Sequence, residues 1–447
     1  MAFGLFKKKE NYADRIFCNG HISTLDPELP WAEAVAVRDG RVMVVGSRSE
    51  MDDIINDDTE IVDLNGRYML PGFIDIHHSP VMKMMDEDYR LGAEEDEGES
   101  KEELASMLDI YTGFFADEDD EDGEEVEYEI EIVEEEDSED EESKEDDEEE
   151  IELILTDEEG ELLDDETEYY IDNSEFTLKV ETAMENLSDR GFTTVLDLNT
   201  PSDIENEFTD SLVELYTDDK LRVRFFGALY VNRPVPARLA KEVMSMRRNK
   251  CVELDDMVRN EFLNVVLDSD SGKPFPQSEL NSLLSECADR GFMIYIEAVS
   301  HDDLLKAYNA VDFIRSKGYK NNVIIASDEE LTDEEDSNLS SSLTVYSTWR
   351  SNVMGRGYFD GAITDTEEAI EHLTIVSAEM IGMEEDLGTI ERGKYADFAV
   401  FSENPYEVKA GELPKLYCDM TVLEGEVVHD VDRENDEYML NMILYAK

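Results

Sequence analysis

The fold class this sequence predicts is α/β: a TIM-like (β/α) barrel carried beside a small β-sandwich domain built from the N- and C-terminal segments. Three observations predict it. Residues 12–69 hold short apolar runs broken by Asn-Gly and Asp-Gly pairs. From Phe176 onward, strand-like runs alternate with helix-like ones. After residue 387 a second β-patterned stretch returns. Strands spaced by helices indicate parallel β/α architecture, and a β segment at each end lets the two termini meet in one domain. With 447 residues, 41% of them hydrophobic, the chain can bury one large core and a smaller one.

The elements follow in order. Asn19-Gly20, Asp39-Gly40 and Asn65-Gly66 each sit between alternating apolar runs, the strongest short-range hairpin signal. After Pro71-Gly72, a β-branched and aromatic run (Phe73, Ile74, Ile76) reads as the first buried barrel strand, ending in Asp75, His77 and His78. Residues two apart in a strand share a face, so a zinc-type site here needs imidazoles at 77 and 79, and position 79 is Ser79. Further strand-like runs are Thr193–Leu198, Arg222–Leu229, Phe262–Leu267, Phe292–Ala298 and Val323–Ala326. Helical patterns over Leu178–Arg190, Gln277–Arg290 and Asp302–Lys317 separate them. Six strand signals fall short of the eight a closed barrel needs, so closure is inferred. A helix is expected over Asp365–Met383, then strands at Ala399–Phe401 and Met420–Val428. The expected domains are 12–69 with 387–430 as the β sandwich and 70–386 as the barrel.

Residues 84–172 interrupt the barrel pattern. The net charge of −77 is concentrated there: about 45 of the 115 acids lie between Asp86 and Glu168, against Arg90, Lys101 and Lys144. Such a segment cannot bury enough apolar surface to order itself and is expected to be disordered in part. A polyanion argues against nucleic acid and anionic membrane as partners, and would admit a basic protein. The four cysteines are scattered, as in reduced, buried thiols. Met1–Glu10 lacks the apolar core of a secretory signal, so a cytoplasmic protein is expected.

The residues resemble the amidohydrolase superfamily, in the branch called amidohydrolase family 3. Two stretches carry the resemblance. One runs from Ala13 through Asp39-Gly40-Arg41 to Leu70-Pro71-Gly72-Phe73-Ile74-Asp75-Ile76-His77; the other is Leu387-Gly388-Thr389-Ile390-Glu391-Arg392-Gly393-Lys394-Tyr395-Ala396-Asp397. The closing glycines and lysine build turns, so that signature marks ancestry and not activity. The resemblance implies hydrolysis of carbon–nitrogen (non-peptide) bonds in a small amide-like substrate, with one or two divalent ions, zinc or manganese, activating water while an Asp moves protons. It implies ligands that are only partly present. His77 matches the first metal His, Ser79 replaces the second, and Val266 stands at the family's lysine. Glu297 replaces a further His, and Asp328 matches the catalytic Asp if its strand is the last one. His301 stands where the family has an Asp. The expectation is therefore a family member that is inactive or weakly active. One alternative is an active single-metal site of His77, Glu297 and Asp328, favouring Mn²⁺ or Mg²⁺. Another is an acidic cation- or partner-binding protein on an inert barrel.

Overall fold

The computed structural model describes residues 12–76, 173–200, 205–254, 257–269, 274–332, 345–348, 365–409, 413 and 416–432. Residues 12–71 supply β1 (Arg15–Ser23), β2 (Trp31–Arg38), β3 (Arg41–Gly46), β4 (Glu60–Asp63) and β5 (Tyr68–Pro71). Asp39-Gly40 closes the β2–β3 hairpin, pairing Arg38 with Arg41. Both turn residues have positive φ (49° and 75°), as a two-residue hairpin with the right twist requires. The other two expected hairpins are corrected. Asn19-Gly20 lies inside β1, at a bulge where the ladder shifts between Cys18 and Ile22. Before the bulge β1 runs parallel to β4, and after it parallel to β5. Asn65-Gly66 therefore joins two strands that pair with β1 and not with each other. A dipeptide tolerant of positive φ serves a bulge as readily as a hairpin, and sequence alone does not separate the two.

The barrel portion runs through β6 (Phe73–Asp75), α1 (Asn173–Ser188), β7 (Phe192–Asp197), α2 (Glu205–Thr217), β8 (Arg224–Val231) and α3 (Ala237–Lys250). It continues with β9 (Val258–Leu267), α4 (Gln277–Asp289), β10 (Met293–Ala298), α5 (His301–Ser316), β11 (Val323–Ser327) and β12 (Tyr346–Thr348). The seven strands are all parallel and stand in sequence order, forming a half-barrel sheet that ends at β6 and β12 among the described residues. The seventh, β12, escaped the sequence reading because Tyr346-Ser347-Thr348 is short and carries no apolar run. Alternation divides each strand between two cores. Leu263, Val265, Leu267, Ile294 and Ile296 pack with Leu283, Leu284, Val311 and Ile314 of the covering helices. Phe226, Phe262, Tyr295, Ile324 and Ala326 form the inner cluster.

After β12 come α6 (Thr366–Glu371), a π-helical turn (His372–Val376) and α7 (Ser377–Met380), filling the helix expected there. Asp365 caps it, accepting from the backbone N–H groups of Glu367 and Glu368. The chain ends its described part in β13 (Phe398–Phe401), β14 (Met420–Leu423) and β15 (Glu426–Asp430). These join the N-terminal strands in one sheet of order β15-β14-β13-β5-β1-β2-β3, with β4 beside β1. Phe17, Val35, Phe398, Val400 and Val422 share its core, and the Phe17 and Phe398 rings meet edge to face at 5.4 Å.

Barrel and β domain are bolted together at the strand N-termini. Arg224, fully buried at the start of β8, donates to Asp397 Oδ2 at 2.5 Å and to Glu424 Oε1 at 2.8 Å. Its guanidinium also lies 4.3 Å from the Tyr395 ring, which carries Arg41 at 3.8 Å. Gly72 passes between the two sheets so closely that a Cβ there would overlap the Thr193 side chain. No helix among the described residues is long and apolar enough to cross a membrane. The acidic segment 84–172 lies outside the described residues.

Candidate functional site

Barrel chemistry is carried where strands end, and the expected ligand positions fall at the C-terminal ends of β9, β10 and β11. The ladder pairs Val266 with Glu297 and Asn264 with Tyr295. On the other side Glu297 pairs with Ala326, and Asp328 follows directly after β11. Glu297, Val266 and Asp328 therefore come from three consecutive strand ends. His77, His78 and Ser79 lie outside the described residues, and His301 is the first residue of α5.

Glu297 is 5% exposed, and its Oε1 accepts a hydrogen bond from Asn264 Nδ2 at 3.1 Å. The same amide nitrogen lies 3.1 Å from the Leu198 carbonyl oxygen and 3.2 Å from Asn199 Oδ1. Its carbonyl oxygen, also buried, has no hydrogen-bond partner among the described residues. Tyr295, one layer down, is fully buried; burial first, then the charges of Glu297 and Asp75, hold its phenol well above the ordinary range. Asp197, at the end of β7, is sealed from solvent and accepts from the Thr200 hydroxyl; burial pushes its carboxyl up to about 6.

A dependable zinc site needs at least three protein donors. Among the described residues no three His, Cys, Asp or Glu side chains stand together to hold a metal ion. Val266 offers no donor atom, and the carboxylate facing it is engaged by a primary amide. The described donor set therefore does not fit zinc. The sequence reading missed Asn264, the polar residue of β9 closest to Glu297. Its signal was available: in Phe262-x-Asn264-x-Val266 one inward position breaks an apolar series. Buried Asp197 and Tyr295 gave no comparable signal, since only packing distinguishes them from ordinary strand residues.

Comparison with known proteins bears on the same architecture. Residues 339–429 match a family model described as the amidohydrolase family. In its closing segment this chain is similar to the amidohydrolase family. Atrazine chlorohydrolase TrzN from Arthrobacter aurescens TC1, in complex with zinc, aligns with a TM-score of 0.56 at 13% identity, covering 96% of this chain and 99% of that one. A metal-dependent hydrolase from Pyrococcus furiosus aligns with a TM-score of 0.53 at 14% identity, covering 88% and 100%. At such identity the likeness is one of fold. Among sequence relatives, the Arabidopsis thaliana protein LONG AFTER FAR-RED 3 is 43% identical over 65 residues, 14% of this chain and 11% of that protein. N-substituted formamide deformylase from Arthrobacter pascens is 35% identical over 65 residues, 14% of this chain and 12% of the enzyme. The matches thus span about an eighth of these relatives' length.

Proposed function

We propose that this protein is an amidohydrolase by descent, a hydrolase of carbon–nitrogen (non-peptide) bonds whose catalysis is lost or marginal, and that its barrel mouth binds a small amide-like ligand. The observation that carries this reading is the strand-end pair. Glu297, at the position of a family imidazole, is hydrogen-bonded to Asn264 at 3.1 Å, and Val266 stands opposite it in the ladder. A carboxylate held by an amide recognises polar groups without supplying the positive charge that would activate water. A second reading is favoured by one feature: Glu297 and Asp328 come from adjacent strand ends. With His77 they would form an oxygen-rich site for a harder ion such as Mn²⁺. The cytoplasm is the proposed setting, supported by four free, buried cysteines.

Metal analysis of protein purified without chelator decides between the two. The first reading expects sub-stoichiometric metal, unchanged in His77→Ala, and no turnover of N-acyl amino acids or N-substituted formamides even with added Zn²⁺ or Mn²⁺. Near-stoichiometric metal that disappears in His77→Ala, with measurable hydrolysis, would establish the second and remove the first.

A further inference from the structure

A separate polar cluster lies at the opposite side of the chain's architecture, where β15 meets the end of α1. His429, on β15, is 2% exposed. Its Nδ1 lies 3.0 Å from Asp189 Oδ1, and its Nε2 lies 3.0 Å from the Cys418 carbonyl oxygen. Both partners are acceptors. A neutral imidazole carries a single N–H, so either tautomer would set a ring lone pair against an oxygen lone pair. The imidazolium donates at both nitrogens and leaves neither contact repulsive.

The surroundings join the same two elements. Thr421 on β14 donates its hydroxyl to the Ser188 carbonyl at 2.6 Å. Arg222, just before β8, donates to the Val428 carbonyl at 2.6 Å and pairs with Glu185 of α1 at 2.9 Å. Among the described residues, the charged and titratable groups at this junction are Glu185 of α1, Asp189 and Arg190 at its exit, Arg222 ahead of β8, Cys418 and Asp419 ahead of β14, and Asp430 beside His429 on β15. Burial pushes the Cys418 thiol up to about 11, so it stays neutral over the working range. Of these acids, Asp189 is the one in contact with the imidazole, and Glu185 is paired with Arg222. Among the described residues β15 ends its sheet, bonded to β14.

We propose that His429 is a cationic clamp fastening the edge strand β15 to the end of α1, and that the junction between β domain and barrel loosens when the imidazole loses its proton. The sign follows from linkage. A group held as a cation in the fold contributes stability fully present below the ordinary imidazole value of about 6.5, and that stability is lost as rising pH removes the proton from the folded protein. The unlatched state would leave β15 as an edge strand with its outer side less restrained.

The test uses the full chain, uniformly labelled with ¹⁵N, with His429 assigned by the signals missing in His429→Gln. The expected result at pH 7 is an imidazolium pattern, both ring nitrogens protonated; a single neutral tautomer at pH 7 would overturn the clamp. The second arm is denaturant unfolding of the wild type, His429→Gln and Asp189→Asn at pH 6 and pH 9. Both variants are expected to raise the unfolding equilibrium constant about tenfold or more at pH 6, as for hydrogen bonds to a charged group, and by much less at pH 9. An equal loss at both pH values would show an ordinary buried contact and refute the switch. Should His429→Gln fail to fold, the wild-type spectrum compared with that of Asp189→Asn still decides the charge state.

Discussion

Replacing Asp197 by Asn removes a buried charge without removing its hydrogen-bond acceptor. Asp197 sits at the end of β7 with no exposed surface; Thr200 donates its hydroxyl to it, and the Asn199 backbone N–H approaches at 3.4 Å. Burial is the larger influence and lifts the carboxyl from 3.8 to about 6. Because the folded value is raised, the neutral acid is the form the fold prefers. Its contribution to stability is fully present below the unfolded value near 4, and is lost as pH rises through about 6. A gap of roughly two pH units at 1.36 kcal/mol each makes the total loss about 3 kcal/mol.

The isoelectric point of about 4.1 rules out working near pH 4, where the uncharged chain would precipitate. About half of the loss has already occurred by pH 5, leaving about 1.4 kcal/mol between pH 5 and pH 7.5. The wild type also destabilises with pH through its general negative charge, so the informative quantity is the difference between the two proteins. Urea unfolding at several pH values, followed by tryptophan fluorescence, should show Asp197→Asn gaining about 1.4 kcal/mol on the wild type across that range. A difference that stays constant with pH would refute a buried Asp197 carboxyl raised to about 6.

Arg224→Met should lower stability by about 3–5 kcal/mol, since it strands the buried Asp397 carboxylate without its partner; thermal unfolding measures it. Gly72→Ala should cost on the order of 2 kcal/mol or prevent folding, because its Cβ would overlap Thr193 and two neighbouring strands fix the backbone there. Gly191→Ala combines a φ of +84° with a Cβ 2.8 Å from that of Ala399, and a similar loss is expected in the same assay. Glu297→Gln should change stability by about 1 kcal/mol or less and leave metal content unaltered if the strand ends hold no ion; loss of a bound metal on this change would contradict the proposed function.

The parallel order of β6 to β11 was legible because their apolar runs alternate with segments of helical period. The hairpin at Asp39-Gly40 was legible for the same local reason. Asn19-Gly20 and Asn65-Gly66 misled because the partner of a strand is a tertiary fact: β1 changes neighbours at its bulge, and nothing local records it. At the site, Val266 and Glu297 could be placed on neighbouring strands, and the ladder puts them opposite each other. The hydrogen bond from Asn264 could not be foreseen, since it depends on Glu297 reaching back one layer to an inward residue of β9.

The two ends of the barrel strands have different constraints on folding. At the N-terminal ends, Asp397 of the closing signature accepts from Arg224 and also from the Glu424 backbone N–H at 2.8 Å. Lys394 of the same signature donates to the Glu384 and Leu387 carbonyls at 2.7 and 3.0 Å, and Gly388 and Gly393 take positive φ. Each of these residues holds backbone or a buried charge, so replacing any of them destabilises the fold whatever the protein does. At the C-terminal ends, Val266 presents an apolar side chain and Glu297 accepts a hydrogen bond from Asn264, so either can change at small cost to folding. Selection for a folded chain alone would preserve the first set and release the second. The closing segment is therefore a record of how the two sheets are joined, and the activity must be read from the strand ends.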